Sequence, residues 1–112
     1  MKKIEAIIRS SQFDKVRESL ANIGVNFFTF FEVKGFGHQK GQEVHYRGAV
    51  YDIGYIARMK LEIVVPAQKA EEVMQCIIDA AYTGEMGDGK VFVSTIENAM
   101  SIRTKGKGTD AV

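Results

Sequence analysis

The sequence is short of cysteine, of histidine and of charge imbalance, and each shortage removes a class of function. With Cys76 alone, no intrachain disulfide can form, and a reducing cytosol is the expected setting. Cys76 falls within a predicted helix without a catalytic partner near it in sequence, and it reads as an inert thiol. Lys and Arg number 15 against 14 Asp and Glu, a net charge of +1 that gives no basic face for nucleic acid. No apolar run approaches the ~20 residues that cross a bilayer. The start, Met1-Lys2-Lys3-Ile4-Glu5, lacks the apolar segment of a secretory signal. The two histidines, His38 and His45, have no second ligand at metal-binding spacing and no partner for nucleophilic work, so both read as loop polar groups. No catalytic constellation emerges, and the expectation is a non-enzyme.

What is present suits one soluble domain over residues 1–112, with 46% apolar and 26% charged residues. Lys3 to Arg9 alternates as a strand, with Ile4, Ala6 and Ile8 on one side and Lys3, Glu5 and Ile7 on the other. Ser10 and Ser11 offer an N-cap, with Asp14 placed as in a capping box. Phe13, Val16, Leu20 and Ile23 then follow at helical spacing, and Gly24 suits the left-handed position past the end. The run Phe27 to Val33 is aromatic on both faces, as in a strand buried on both sides.

From Gly35 to Tyr55 the pattern stops. This stretch contains Gly35, Gly37, Gly41, Gly48 and Gly54 and shows no periodicity, and a loop of about 20 residues on a small domain is usually a working surface. Core-like sequence resumes near Met59. Lys60 to Val65 reads as a strand, Pro66 ends it, and Ala70, Val73, Ile77 and Ala80 or Ala81 form the inner stripe of a second helix, widened by Met74 and Ile78. A glycine-rich turn from Gly84 to Lys90 leads to a last strand, Val91 to Ile96. The small polar tail from Arg103 to Val112 is expected to be mobile unless a ligand orders it.

The halves echo each other at an offset of 57: Lys3, Ile4, Glu5 and Ile7 match Lys60, Leu61, Glu62 and Val64, and Val16 and Leu20 match Val73 and Ile77. A strand-helix-strand unit used twice predicts an α+β, ferredoxin-like β-α-β-β-α-β fold with both helices on one face of an antiparallel sheet. The other face then carries Lys3, Glu5, Ile7, Lys60, Glu62 and Val64. That face is too apolar to stand in water, so a homo-oligomer is expected. Glu5 and Glu62 each lie two residues from a lysine on the same face, which favours ion pairing over acid-base chemistry. Gly87-Asp88-Gly89-Lys90 suits either an anion cradle or a tight helix-to-strand connection. Arg103, Lys105 and Lys107 are either further phosphate ligands or a solvated tail.

These residues together resemble a known family. Tyr46-Arg47-Gly48-Ala49-Val50-Tyr51 is similar to the loop signature of the PII nitrogen-regulatory proteins, and Thr83-Gly84-Glu85-Met86-Gly87-Asp88-Gly89-Lys90-Val91-Phe92-Val93 resembles their second signature. Glu32 to Gly37 and Ile102-Arg103-Thr104 also fit, so the resemblance covers the whole chain. It implies a cytoplasmic homotrimer, a signal transducer rather than an enzyme, with a long T-loop at about 37–55, a phosphate-binding turn at about 82–90 and a C-terminal segment at 101–112. It implies clefts between subunits that bind ATP or ADP, and 2-oxoglutarate together with ATP and Mg2+. Gly87, Asp88, Gly89 and Lys90 would cradle the phosphates, with Arg103 reaching them from the neighbouring subunit. Ile7, Thr29, Glu62 and Val64 would line the adenine and ribose, and Gly35, Phe36, Gly37 and His38 would follow the nucleotide toward the loop. Gln39 would give a side-chain oxygen to Mg2+. The 2-oxoglutarate site would comprise Gly37, Gln39, Lys40, Gly41, Arg58 and Gly87.

The implied partner is an ammonium channel, so that membrane contact is indirect, or a nitrogen-metabolism enzyme or regulator, with Arg47 at the loop tip as the inserting residue. Tyr51 stands at the position nucleotidylated in some members, and Ala49 excludes the phosphorylation found where relatives carry serine. The chain departs from the pattern at Ser101, His38, Arg58 and Val50. Ser101 replaces a second phosphate-binding arginine, His38 an arginine and Arg58 the lysine that pairs with a 2-oxoglutarate carboxylate. One alternative is an adenine-nucleotide sensor that has lost 2-oxoglutarate binding. Another, of a different class, is a phosphoryl-transfer enzyme with a histidine nucleophile.

Overall fold

The structure, a computed structural model, describes residues 1–36, 43–46, 49–52 and 55–112, with side chains described for residues 1–36 and 57–112. Among the described residues six strands and two helices follow one another: β1 (Lys2–Arg9), α1 (Phe13–Asn22), β2 (Thr29–Phe36), β3 (Glu43–Tyr46), β4 (Ala49–Asp52), β5 (Tyr55–Val65), α2 (Ala70–Ala81) and β6 (Gly89–Thr95). Four of the strands form an antiparallel sheet in the order β2-β5-β1-β6. Both helices supply buried residues to a single core on one side of it, the ferredoxin-like arrangement expected from the repeat.

The alternation along β1 decides which side is which. Ile4, Ala6 and Ile8 are buried, and in the paired strand so are Met59, Leu61, Ile63 and Val65. Against them pack Val16 and Leu20 of α1 and Ala70, Val73, Ile77 and Ala81 of α2. Of the two candidates for the last inner position, Ala81 is the buried one, while Ala80 is partly buried and Ile78 is exposed. Leu61 is fully enclosed, and truncating such a side chain to alanine costs about 2–5 kcal/mol.

The helix ends differ from expectation at one point. Neither N-cap residue, Gln12 for α1 or Lys69 for α2, makes a side-chain capping bond. Instead the chain enters α1 through a 3-10 turn at Ser10–Gln12 and α2 through one at Ala67–Lys69, just after Pro66. The i→i+3 bonds of such turns occupy backbone groups that a cap would otherwise serve, so the expected roles of Ser10, Ser11 and Asp14 are not taken up. At the other end Gly24 has φ +85, its N–H bonds the Ala21 carbonyl at 3.0 Å, and Val25 reaches the Leu20 carbonyl at 2.9 Å. The Lys69 ammonium adds a bond to the Ile23 carbonyl at 2.8 Å, tying the start of α2 to the end of α1.

Two further corrections concern the strands, and the tail has a path of its own. The phenylalanine strand is an edge strand, β2, and not one buried on both faces. Phe30 is 52% and Phe31 43% exposed, because strand order, not composition, sets how much cover a strand receives. β5 begins at Tyr55 rather than Lys60, and the 37–55 stretch contains the hairpin β3–β4, with Glu43 opposite Asp52. The tail folds back on itself: Ser101 N–H bonds the Gly106 carbonyl, Lys105 N–H the Ser101 carbonyl and Gly108 N–H the Ala99 carbonyl, all at 2.9 Å. Lys105 (φ +59) and Gly108 (φ +63) make this reversal possible.

Candidate functional site

The face of the sheet away from the helices carries a charge network at its centre. Glu5 and Glu62, repeat-equivalent residues, stand directly opposite each other on β1 and β5. Lys3 lies 2.9 Å from Glu5 and 3.7 Å from Glu62, and Lys60 lies 3.5 Å and 3.6 Å from the same two carboxylates. Each lysine therefore bridges both acids. The hydrogen bond from Lys3 holds the Glu5 carboxyl below its usual range, and Glu5 in turn raises the Lys3 ammonium. This is ion pairing, not a catalytic carboxylate pair sharing a proton. Lys60 also sits 5.4 Å from the centre of the Phe31 ring.

Ile7, Val64 and Lys90 lie on this same face by strand parity, and Lys90 is the register partner of Ile7. Thr29 is opposite Glu62, and its hydroxyl donates to the Glu62 carbonyl at 3.4 Å. Gly35 and Phe36 end β2, opposite Ile56 and Tyr55. Seven of the residues expected on the nucleotide side, Ile7, Thr29, Glu62, Val64, Lys90 and the glycines at 87 and 89, thus come to one sheet face and the turn at its end. Arg103 is exposed in the folded tail and has no side-chain bond to the turn among the described residues. Gly37, His38, Gln39, Lys40, Gly41, Arg47 and the side chain of Tyr51 lie outside the described residues.

The turn between α2 and β6 is braced from within. Asp88 accepts bonds on both carboxylate oxygens: from the Thr83 N–H at 2.8 Å, the Gly84 N–H at 2.9 Å, the Thr83 hydroxyl and the Arg9 guanidinium at 3.0 Å. These bonds, those from Thr83 first, hold its carboxyl well below the usual carboxylate range. Gly87 (φ +100) and Gly89 (φ +103) turn the chain around this anchor. A Cβ on Gly89 would meet the Ile7 carbonyl oxygen at 1.8 Å, so the glycine is required by close backbone approach as well as by its φ.

Arg58 stands at the same end of the sheet, opposite Arg9 in register and nearly buried, without a hydrogen-bond or ion-pair partner among the described residues. Burial, then the charge of Arg9, lowers its pKa, and Asp88 partly offsets both. A cavity of about 270 Å³ is lined by Arg58, Ala57, Val33, Lys34, Glu32 and Ser10. Arg9 and Thr83 were not singled out as site residues from the sequence. The signal for Arg9 was its parity with Lys3, Glu5 and Ile7, which puts it on the open face at the strand's end.

Among the described residues no group of three or more His, Cys, Asp or Glu converges on a metal position. Burial, with the charges of Asp79 and Glu72, pushes the Cys76 thiol up, in line with an unreactive cysteine. Among the described residues no helix is long and apolar enough to cross a membrane.

Comparison with known proteins gives the family of the chain. The profile of "Nitrogen regulatory protein P-II" matches residues 1–106. Curated relatives under that description include one from Haemophilus influenzae, 47% identical, and one from Nostoc punctiforme, 48% identical, each aligned over all of both chains. Among solved structures, Arabidopsis thaliana PII bound to citrate superposes with a TM-score of 0.79 at 34% identity, covering 98% of this chain and 87% of that one. A family match over residues 1–106 and alignment with relatives over the full chain lead to one conclusion: this protein belongs to the P-II family of nitrogen regulatory proteins.

Proposed function

We propose that the protein is a non-enzymatic signal transducer, a homotrimer that reads ATP, ADP and 2-oxoglutarate and reports the result to a protein target through its 37–55 loop. The observation that carries this reading is the braced turn. Because Asp88 is engaged by Thr83, Gly84 and Arg9, the groups left for an anion are the backbone around Gly87 and Gly89 and the exposed Lys90. Backbone N–H groups gathered on a glycine turn beside a cation suit phosphate. Arg103 of a neighbouring subunit would add a charge-assisted contact, and Ser101 would supply none.

On this reading the adenine and ribose lie along Ile7, Thr29, Glu62 and Val64, and the half-covered sheet face is retained to meet them. Gly35, Phe36, Gly37 and His38 lead from the nucleotide to the loop. Gln39 would offer one oxygen to Mg2+, a hard cation whose remaining ligands would be phosphate and carboxylate oxygens. A buried guanidinium beside Arg9 is costly, and a ligand carboxylate at Arg58 would add to the partial offset from Asp88. The 2-oxoglutarate would thus lie among Gly37, Gln39, Lys40, Gly41, Arg58 and Gly87. Effectors act here by binding loop conformations unequally, which shifts populations without a reaction. The target is an ammonium channel or a nitrogen-metabolism enzyme or regulator, with Arg47 as the contact at the loop tip and Tyr51 as a site open to nucleotidylation.

Calorimetry tests the reading: ATP and ADP titrated alone, then 2-oxoglutarate with and without Mg-ATP. Saturable 2-oxoglutarate binding only with Mg-ATP supports the full account. Nucleotide binding without any 2-oxoglutarate response leaves the adenine-nucleotide sensor instead, and turnover of ATP that is lost in His38→Ala would restore the enzyme reading.

A further inference from the structure

Arg9 has two bonds that a solvated surface arginine does not keep. It ends β1; its Nε donates to Asp88 Oδ1 at 3.0 Å and its Nη2 donates to the Met86 carbonyl at 2.7 Å. These acceptors flank Gly87, the residue at φ +100. One planar guanidinium therefore holds both sides of the peptide reversal, fixing direction as well as distance. A lysine ammonium, a point charge on a flexible stem, lacks that fork. From Asp88 the bonds continue to Thr83 and Gly84, so this side chain ties the body of the loop to the end of β1, beside the backbone pairing of Gly89 with Ile8. On its other side Arg9 is the register partner of Arg58, an unfavourable neighbour for a second guanidinium. Asp88 offsets that repulsion, and the three groups form one unit.

We propose that Arg9 is the positioning residue of the anion-binding turn: clamped on Asp88 and the Met86 carbonyl, it sets the direction in which the Gly87–Gly89 backbone meets nucleotide phosphates. The inference rests on the nucleotide reading of this turn. Arg9 acts through the turn and does not itself touch the phosphate.

The test uses the full chain as wild type, Arg9→Lys and Arg9→Gln, with two readouts. Titration with Mg-ATP gives affinity, and the amide NMR signals of Gly84, Gly87 and Gly89 without nucleotide report the turn. Arg9→Lys keeps the charge but loses the fork, so ATP binding weakens about tenfold while the cooperative melt is retained, and the turn signals shift or broaden. ATP affinity within about twofold of wild type in both variants, with the glycine signals in place, overturns the proposal. Should the Arg9 variants fail to fold, Asp88→Asn carries the same two readouts with the same expectations. A wild-type chain that binds no ATP overturns the nucleotide reading, and the glycine signals still decide whether Arg9 shapes the turn.

Discussion

Gly89 lies so close to Ile7 that a single added carbon on its Cα would stand 1.8 Å from the Ile7 carbonyl oxygen. That atom belongs to the backbone of a central strand and has no room to withdraw, and Gly89 also has φ +103. Gly89→Ala is therefore expected to cost about 2–4 kcal/mol, combining strain with a displaced strand pair. Urea unfolding monitored by circular dichroism reads this directly.

Asp88 ties stability to pH. Its folded-state pKa is depressed by the bonds from Thr83, Gly84 and Arg9, so it contributes stability that is present above its unfolded value, about 3.9, and is lost as pH falls toward the folded value. Asp88→Asn should accordingly be less stable than wild type at pH 7. The difference should narrow once pH drops below about 4. Thermal melts of both proteins from neutral to acid pH check the sign, and parallel curves would contradict it.

The Glu5–Glu62 pair depends on its lysines. Removing Lys60 leaves two carboxylates facing each other with only Lys3 between them. Lys60→Met should destabilise the protein more than the same change made in Glu62→Gln, with a coupling of about 0.5 kcal/mol, as for part-exposed ion pairs. A double-mutant cycle by denaturant unfolding measures it.

Division of labour between nucleotide and target sites predicts the behaviour of Arg47→Ala. Target capture should fall at least about tenfold while ATP affinity stays within about twofold of wild type. Pull-down on the target and calorimetry on the same preparation give both values; equal loss of both would contradict separate sites.

Much of this molecule is legible in its residues. Period-two and period-3.6 patterns located β1, α1, α2, β6 and the C-terminal half of β5, because core burial demands that an element keep one face apolar. The repeat at offset 57 implied the topology, and the glycines at 24, 84, 87 and 89 marked the reversals where φ is positive. Local pattern also separated Glu5 and Glu62 from catalysis, since each had a lysine of its own at hand.

Tertiary structure alone decided the rest. The phenylalanine run looks doubly buried, but strand order leaves β2 at an edge, and neighbours in space rather than residue type determine cover. The resemblance groups Asp88 with the residues that would cradle phosphates, and only the structure shows its carboxylate engaged by Thr83, Gly84 and an arginine 79 positions away. Arg9 and Arg58 likewise become neighbours only when β1 and β5 pair. Periodicity records which face of an element is apolar; it holds no information about which polar groups meet across the chain, because those contacts depend on register and turn geometry set by the whole fold.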